Sequence, residues 1–161
     1  MKKILVIRFS SLGDIALASP VFRNLKEYFP EFRLYVLTKK TYSGLLEGSP
    51  YIDGLIILEE CGGLLGLIKK VRSLRFDYII DLHANLRSLL VRWFAGSGKK
   101  AVYKKDALAR RLFVAFRKSS PALQKHTVDR YLGALEKLHI PVPHKNPEIY
   151  FKKPENGPAI E

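Results

Sequence analysis

The run Lys3-Ile4-Leu5-Val6-Ile7-Arg8-Phe9-Ser10-Ser11-Leu12-Gly13-Asp14 passes from a β-branched apolar stretch into a polar loop and a helix start. An unbroken apolar run of this kind reads as a strand buried on both faces, as in a parallel sheet. Residues 14–29 then carry Ile15, Ala18, Phe22, Leu25 and Phe29 on one helical face, up to Pro30. Strand, loop and helix in that order make the first unit of an α/β fold.

The unit recurs. Strand patterns at 33–37, 54–58, 76–81 and 101–103 alternate with helical patterns at 41–47, 64–74 and 86–94, and two more helices follow near 107–117 and 126–138. The expected architecture is α/β, a Rossmann-like parallel sheet with helices on both faces, over residues 1–140. Five of the nine prolines (Pro141, Pro143, Pro147, Pro154 and Pro158) fall in residues 141–161, which reads as a proline-rich linker or tail leading out of that domain.

Composition narrows the class. With 47% hydrophobic residues the chain can bury a core, which rules out wholesale disorder. Cys61 is the one cysteine, so no internal disulfide forms and no Cys/His cluster suggests a metal site. Four apolar residues before Arg8 make a strand, not a signal-peptide core, and no run reaches the ~18–20 apolar residues of a membrane span. A reducing cytoplasm is the expected setting. The net charge of +13 is concentrated: residues 69–118 hold 14 Lys and Arg against 3 Asp and Glu. That distribution points to an anionic partner meeting one face.

Two basic amphipathic segments lie in that region. The first, at 64–74, reads as a surface helix packed on the sheet. The second sets Leu108, Leu112, Phe113 and Phe116 against Arg110, Arg111, Arg117 and Lys118, and reads as a contact for an anionic headgroup or membrane.

In parallel sheets ligands bind where strands end and helices begin. The first such loop lacks both the G-x-G-x-x-G and the P-loop fingerprints. It offers the hydroxyls of Ser10 and Ser11, the close backbone approach allowed by Gly13, and the carboxylate of Asp14. By spacing alone, Ser11-x-x-Asp14 reads as a capping box.

Context adds a second reading. Residues 4–15, followed by Ser19-Pro20, resemble the N-terminus of the ADP-heptose:lipopolysaccharide heptosyltransferases, glycosyltransferase family 9. Asp81-Leu82-His83-Ala84-Asn85-Leu86-Arg87-Ser88 is similar to the family's D-x-H/Q-x-x-x-R/K-S segment, and His126-Thr127-Val128-Asp129-Arg130-Tyr131 to its H-x-V-x-R-Y motif. The resemblance implies the N-terminal, acceptor-binding half of a two-domain GT-B enzyme, with inverting transfer of heptose from ADP-heptose to a lipopolysaccharide inner-core acceptor. It implies Asp14 as general base, no cofactor beyond the donor substrate, and a C-terminal donor-binding domain as partner. It also implies a cytoplasmic enzyme peripheral at the inner face of the inner membrane, meeting lipid A-linked core there.

The candidate substrate-binding residues are then Ser10, Ser11, Gly13, Arg87, Ser88, Arg110, Arg111, His126 and Arg130. A base needed only in the transition state should tolerate Asp14→Asn with little change in melting. The competing readings are a non-catalytic domain for anionic surfaces or nucleic acid, and a one-domain nucleotide-binding enzyme. The first lacks any RNA-recognition, zinc-finger or basic-zipper motif, and the second lacks the glycine fingerprint.

Overall fold

β1 (Lys3–Ile7) lies at the centre of the sheet. The computed structural model describes residues 1–96, 98–103 and 126–150. β1 pairs in parallel with β2 (Arg33–Thr38) on one side and β4 (Tyr78–Asp81) on the other. β3 (Gly54–Ile57) adds beyond β2 and β5 (Lys99–Val102) beyond β4, giving the all-parallel order β3-β2-β1-β4-β5. That is the expected Rossmann-like arrangement.

Strand side chains alternate between faces, and β1 shows it directly. Ile4 and Val6 join one buried cluster with Val21, Phe22 and Leu25 of α2 (Ser19–Tyr28) and Tyr131, Leu132 and Leu135 of α6 (Thr127–Glu136). Leu5 and Ile7 join a second cluster on the opposite face, with Leu67 and Val71 of α4 (Gly63–Leu74) and Val91 of α5 (Leu86–Phe94). Helices therefore cover both faces, and α4 packs on the sheet as its periodicity predicts.

The helix expected over 14–29 is two helices, α1 (Leu12–Ala16) and α2. Pro20 sits in the first turn of α2, where a residue without an N–H costs nothing. The proline thus starts a helix rather than riding inside one. A short α3 (Gly44–Glu47) follows β2. β5 begins at Lys99, two residues earlier than its pattern suggested. Gly98, at φ +152°, makes this possible: a Cβ there would stand 2.6 Å from the Phe76 carbonyl oxygen.

Residues 141–150 have no regular structure, yet they are strapped along α2 instead of leading freely away. The Asn24 amide donates to the His144 carbonyl (2.7 Å) and its oxygen accepts from the His144 N–H (3.1 Å). Arg23 pairs with Glu148 at 2.6 Å, and the Glu148 N–H donates to Ser19 Oγ at 2.8 Å. Residues 151–161, the rest of the expected tail, lie outside the described residues.

Candidate active site

Asp14 stands in the first turn of α1, just beyond the carboxyl end of β1. Its carboxylate is held from three places in the fold. Ser11, the N-cap of α1, donates to Oδ2 from its backbone N–H (3.2 Å) and its hydroxyl (2.9 Å). The guanidinium of Arg8 meets Oδ2 at 2.5 Å. From α6, on another part of the chain, the Tyr131 hydroxyl donates to Oδ1 at 3.0 Å.

Arg8 is itself fixed. It is 6% exposed, donates to the Leu82 carbonyl oxygen, and lies over the Tyr131 ring at 5.3 Å. Burial pushes the Asp14 pKa up, but the Ser11 bonds, the Arg8 charge and the Tyr131 hydroxyl outweigh it and hold the carboxyl below the ordinary aspartate value. The Tyr131 hydroxyl is pushed the other way, by burial and by the neighbouring carboxylate. It therefore stays protonated and keeps donating.

Asp14 opens on a cleft of about 310 Å³, lined with Arg8, Ser10, Ser11, Tyr131 and Arg130 among others. The capping-box carboxylate and the cleft-facing carboxylate are thus the same group. Asp14 has a cap's contacts, and also a buried cation and a tyrosine that no cap requires.

Comparison with known proteins shows the family. The sequence model of glycosyltransferase family 9 (heptosyltransferase) matches residues 64–159. The chain belongs to glycosyltransferase family 9. It is 26% identical over 148 residues to a lipopolysaccharide core heptosyltransferase of Haemophilus influenzae, covering 87% of this chain and 41% of that protein. It is 27% identical over 146 residues to lipopolysaccharide heptosyltransferase 3 of Escherichia coli, covering 80% of this chain and 40% of that one. The same fold occurs in a family 9 glycosyl transferase of Veillonella parvula (TM-score 0.70, 22% identity, 94% of this chain and 45% of that one). It occurs also in E. coli ADP-heptose lipopolysaccharide heptosyltransferase II (TM-score 0.67, 24% identity, 92% and 46%). The chain spans less than half the length of these relatives.

The other candidates of this family 9 chain fall in different places. Ser10 and His83 lie between the Asp14 cleft and a neighbouring one of about 530 Å³, whose lining includes Lys39 and Arg87. Arg87 and Arg130 therefore serve two adjoining clefts, not one. Gly13 has no atom within 4 Å of where a Cβ would stand, so it faces open space, and it is not among the residues lining either cleft.

Ser88 departs from the expectation. It is 0% exposed and its hydrogen bonds are made with Asn85, the N-cap of α5: Ser88 N–H to Asn85 Oδ1 (2.8 Å) and Asn85 N–H to Ser88 Oγ (3.0 Å). It aims α5, and with it Arg87, without reaching a ligand itself. His126 caps α6, its Nδ1 accepting the Val128 N–H at 3.4 Å. Asp81 is a strand-end acceptor, receiving the N–H groups of His83 (3.0 Å) and Ala84 (2.8 Å). Arg110 and Arg111 lie outside the described residues.

Arg8 and Tyr131 were not among the candidates. The signal for Arg8 was available, since a cation that closes a buried apolar strand needs a counter-charge. Tyr131 sits in the quoted H-x-V-x-R-Y segment, but only the tertiary fold brings it to Asp14.

The Asp14–Arg8 pair also sets a pH dependence. A carboxyl whose folded pKa is depressed stabilises the fold above its unfolded value, and that contribution is lost as pH falls through the folded value. Asp53 behaves likewise: burial pushes it up, but its bonds to Lys26 and the Leu34 N–H hold it below the ordinary value. The urea midpoint should therefore fall from about pH 5 to pH 3, and less steeply in Asp14→Asn. A midpoint that is flat or rising over that range would contradict both pairings.

Proposed function

We propose that this chain is the acceptor-side half of an inverting GT-B heptosyltransferase, moving heptose from ADP-heptose to a lipopolysaccharide inner-core hydroxyl, with Asp14 as general base. The observation that carries it is the clamped carboxylate at the mouth of an open cleft. A sugar hydroxyl attacks well only when a base takes its proton as the new bond forms. Oδ2 is occupied by Ser11 and Arg8, whereas Oδ1 receives the Tyr131 hydroxyl alone. A carboxylate oxygen has two lone pairs, so Oδ1 is where the acceptor hydroxyl docks.

One carboxylate, with no second acid beside it among the described residues of this cleft lining, suits single displacement, in which the hydroxyl displaces ADP directly and the anomeric centre inverts. Retaining chemistry by a glycosidase-like route needs two carboxyl groups ≈ 5–5.5 Å apart. Arg87 and Lys39 in the adjoining cleft supply positive charge for the carboxylates or phosphates of such an acceptor.

The test is a transfer assay on this domain joined to its donor half, with ADP-heptose and heptose-free inner core. ADP release matched by product of the opposite anomeric configuration is expected. Product of retained configuration would overturn the single-displacement reading, and donor hydrolysis without transfer would overturn the acceptor assignment.

A further inference from the structure

α5 is apolar on a side where a surface helix is usually polar. Its inward side is settled, with Ser88, Val91 and Ala95 buried beneath it. On the outward side Leu86 is 72% exposed, Trp93 69% and Phe94 53%. Leu86 and Trp93 are two turns apart and share one line along the helix. A helix with a second apolar side has a second apolar neighbour to meet.

α4 packs beside α5, and its own outward line runs Leu65, Lys69, Arg72. From residue 62 to residue 103 the sequence holds 8 Lys and Arg and 2 Asp and Glu. Of these two acids only Asp77 stands beside those cations, and they outnumber it. Asp81 is 0% exposed, and Asp77 accepts the Lys3 backbone N–H at 2.8 Å. Where the C-terminal ends of α4 and α5 come together they form a cup of about 720 Å³ whose lining includes Arg72, Arg75 and Lys99. Trp93 and Phe94 immediately precede the two residues, Ala95 and Gly96, that line the same cup.

We propose that this α4–α5 surface seats on an anionic phospholipid bilayer, with Trp93 and Phe94 at headgroup depth and the cup cations on lipid phosphates. Cations alone would suit any polyanion. The exposed Trp93 and Phe94, beside the cup, add the demand for an apolar phase next to the charge, which a bilayer interface meets. The cup lies at the edge of the sheet where β4 and β5 begin, and Asp14 lies at the edge where β1 ends. Lipid contact here leaves the Asp14 cleft open. Nothing in the proposal depends on the catalytic assignment.

Trp93 is the single tryptophan of the chain, so its emission reports on this surface alone. With vesicles of phosphatidylglycerol and phosphatidylcholine, the intact chain should show blue-shifted Trp93 emission, quenched by brominated acyl chains. Salt should weaken the effect, and pure phosphatidylcholine should not produce it. Arg72→Glu with Arg75→Glu should weaken partitioning by about tenfold or more, with circular dichroism unchanged. If charge reversal disturbs the fold, Lys69→Gln with Arg72→Gln, both on the exposed side of α4, should still weaken it. The proposal is overturned by vesicle binding that leaves Trp93 emission unmoved, or by equal binding to neutral vesicles. It is overturned too if a single-stranded oligonucleotide quenches Trp93 while lipid does not, or if only Arg110→Glu with Arg111→Glu abolishes binding.

Discussion

Asp14→Asn, in a transferase that joins this domain to its donor half, should lower kcat by about 10²–10⁴-fold, the range lost when a positioned general base is removed. Asparagine keeps one oxygen, which can accept either from the Tyr131 hydroxyl at the Oδ1 position or from Ser11 at the Oδ2 position, and it sets an amide NH2 in the other place. It keeps neither the negative charge nor the ability to take a proton. The structure also changes the expectation for stability. Arg8 is 6% exposed and pairs with Asp14 at 2.5 Å, so neutralising Asp14 leaves a buried cation without its counter-charge. Breaking a fully buried pair costs about 3–5 kcal/mol. Asp14 is 34% exposed, so water replaces part of the loss and about 1–2 kcal/mol is the expected cost.

A fall in melting temperature therefore accompanies the fall in rate, and the assay belongs well below the new midpoint. Ser11→Ala separates the two effects. It removes the cap hydroxyl for about 1 kcal/mol while leaving the carboxylate, and kcat should stay within about tenfold of the parent. If folded Asp14→Asn keeps its kcat within that same margin, Asp14 is a cap and an ion-pair partner and some other group is the base.

The fold was readable from the sequence because its signals are local and mutually consistent. Apolar β-branched runs of strand length, each followed by a helical period, leave few arrangements other than a parallel sheet covered on both faces. The break between α1 and α2 was readable too, from Ser19-Pro20, once proline is weighed as a helix starter and not only as a stop. The site was half readable. Asp14 declares itself by standing at a strand end in a loop of small polar residues. The rest needs distance information that spacing does not contain. Tyr131 is 117 positions from Asp14 and reaches it only because α6 packs on the same face of the sheet as α1.

Ser88 shows the converse. A serine beside an arginine after a strand has the composition of a ligand-binding loop, yet its partner is Asn85, three residues back. A local side-chain-to-backbone bond satisfied it before any ligand could. The cleft is thus assembled by two kinds of residue, those that face it and those that aim the helices around it.

The 161-residue chain, taken by itself, should fold and yet not transfer sugar. The five strands described form one sheet with a buried cluster on each face, which is a self-sufficient core. Cooperative unfolding in urea is the expected behaviour. Transfer demands more than this sheet provides. The leaving diphosphate gathers negative charge in the transition state and has to be met by fixed cations or a helix N-terminus on the far side of the acceptor. In the Asp14 cleft the described cations are Arg8 and Arg130, which line it together with the base, and Arg8 is already committed to Asp14. With the cleft open to water, burial of the carboxylate is only partial and is outweighed by its partners, so the further desolvation that would raise its depressed pKa towards that of a useful base is missing. The relatives that this chain matches are more than twice its span, with 41% and 46% of their lengths covered. Purified chain given ADP-heptose and inner-core acceptor should therefore release no ADP above background, and joining the donor half of a family 9 enzyme should restore turnover. Sustained product formation by the 161-residue chain alone, in a preparation free of host transferase, would show that the donor site lies within it and that the two-half reading is wrong.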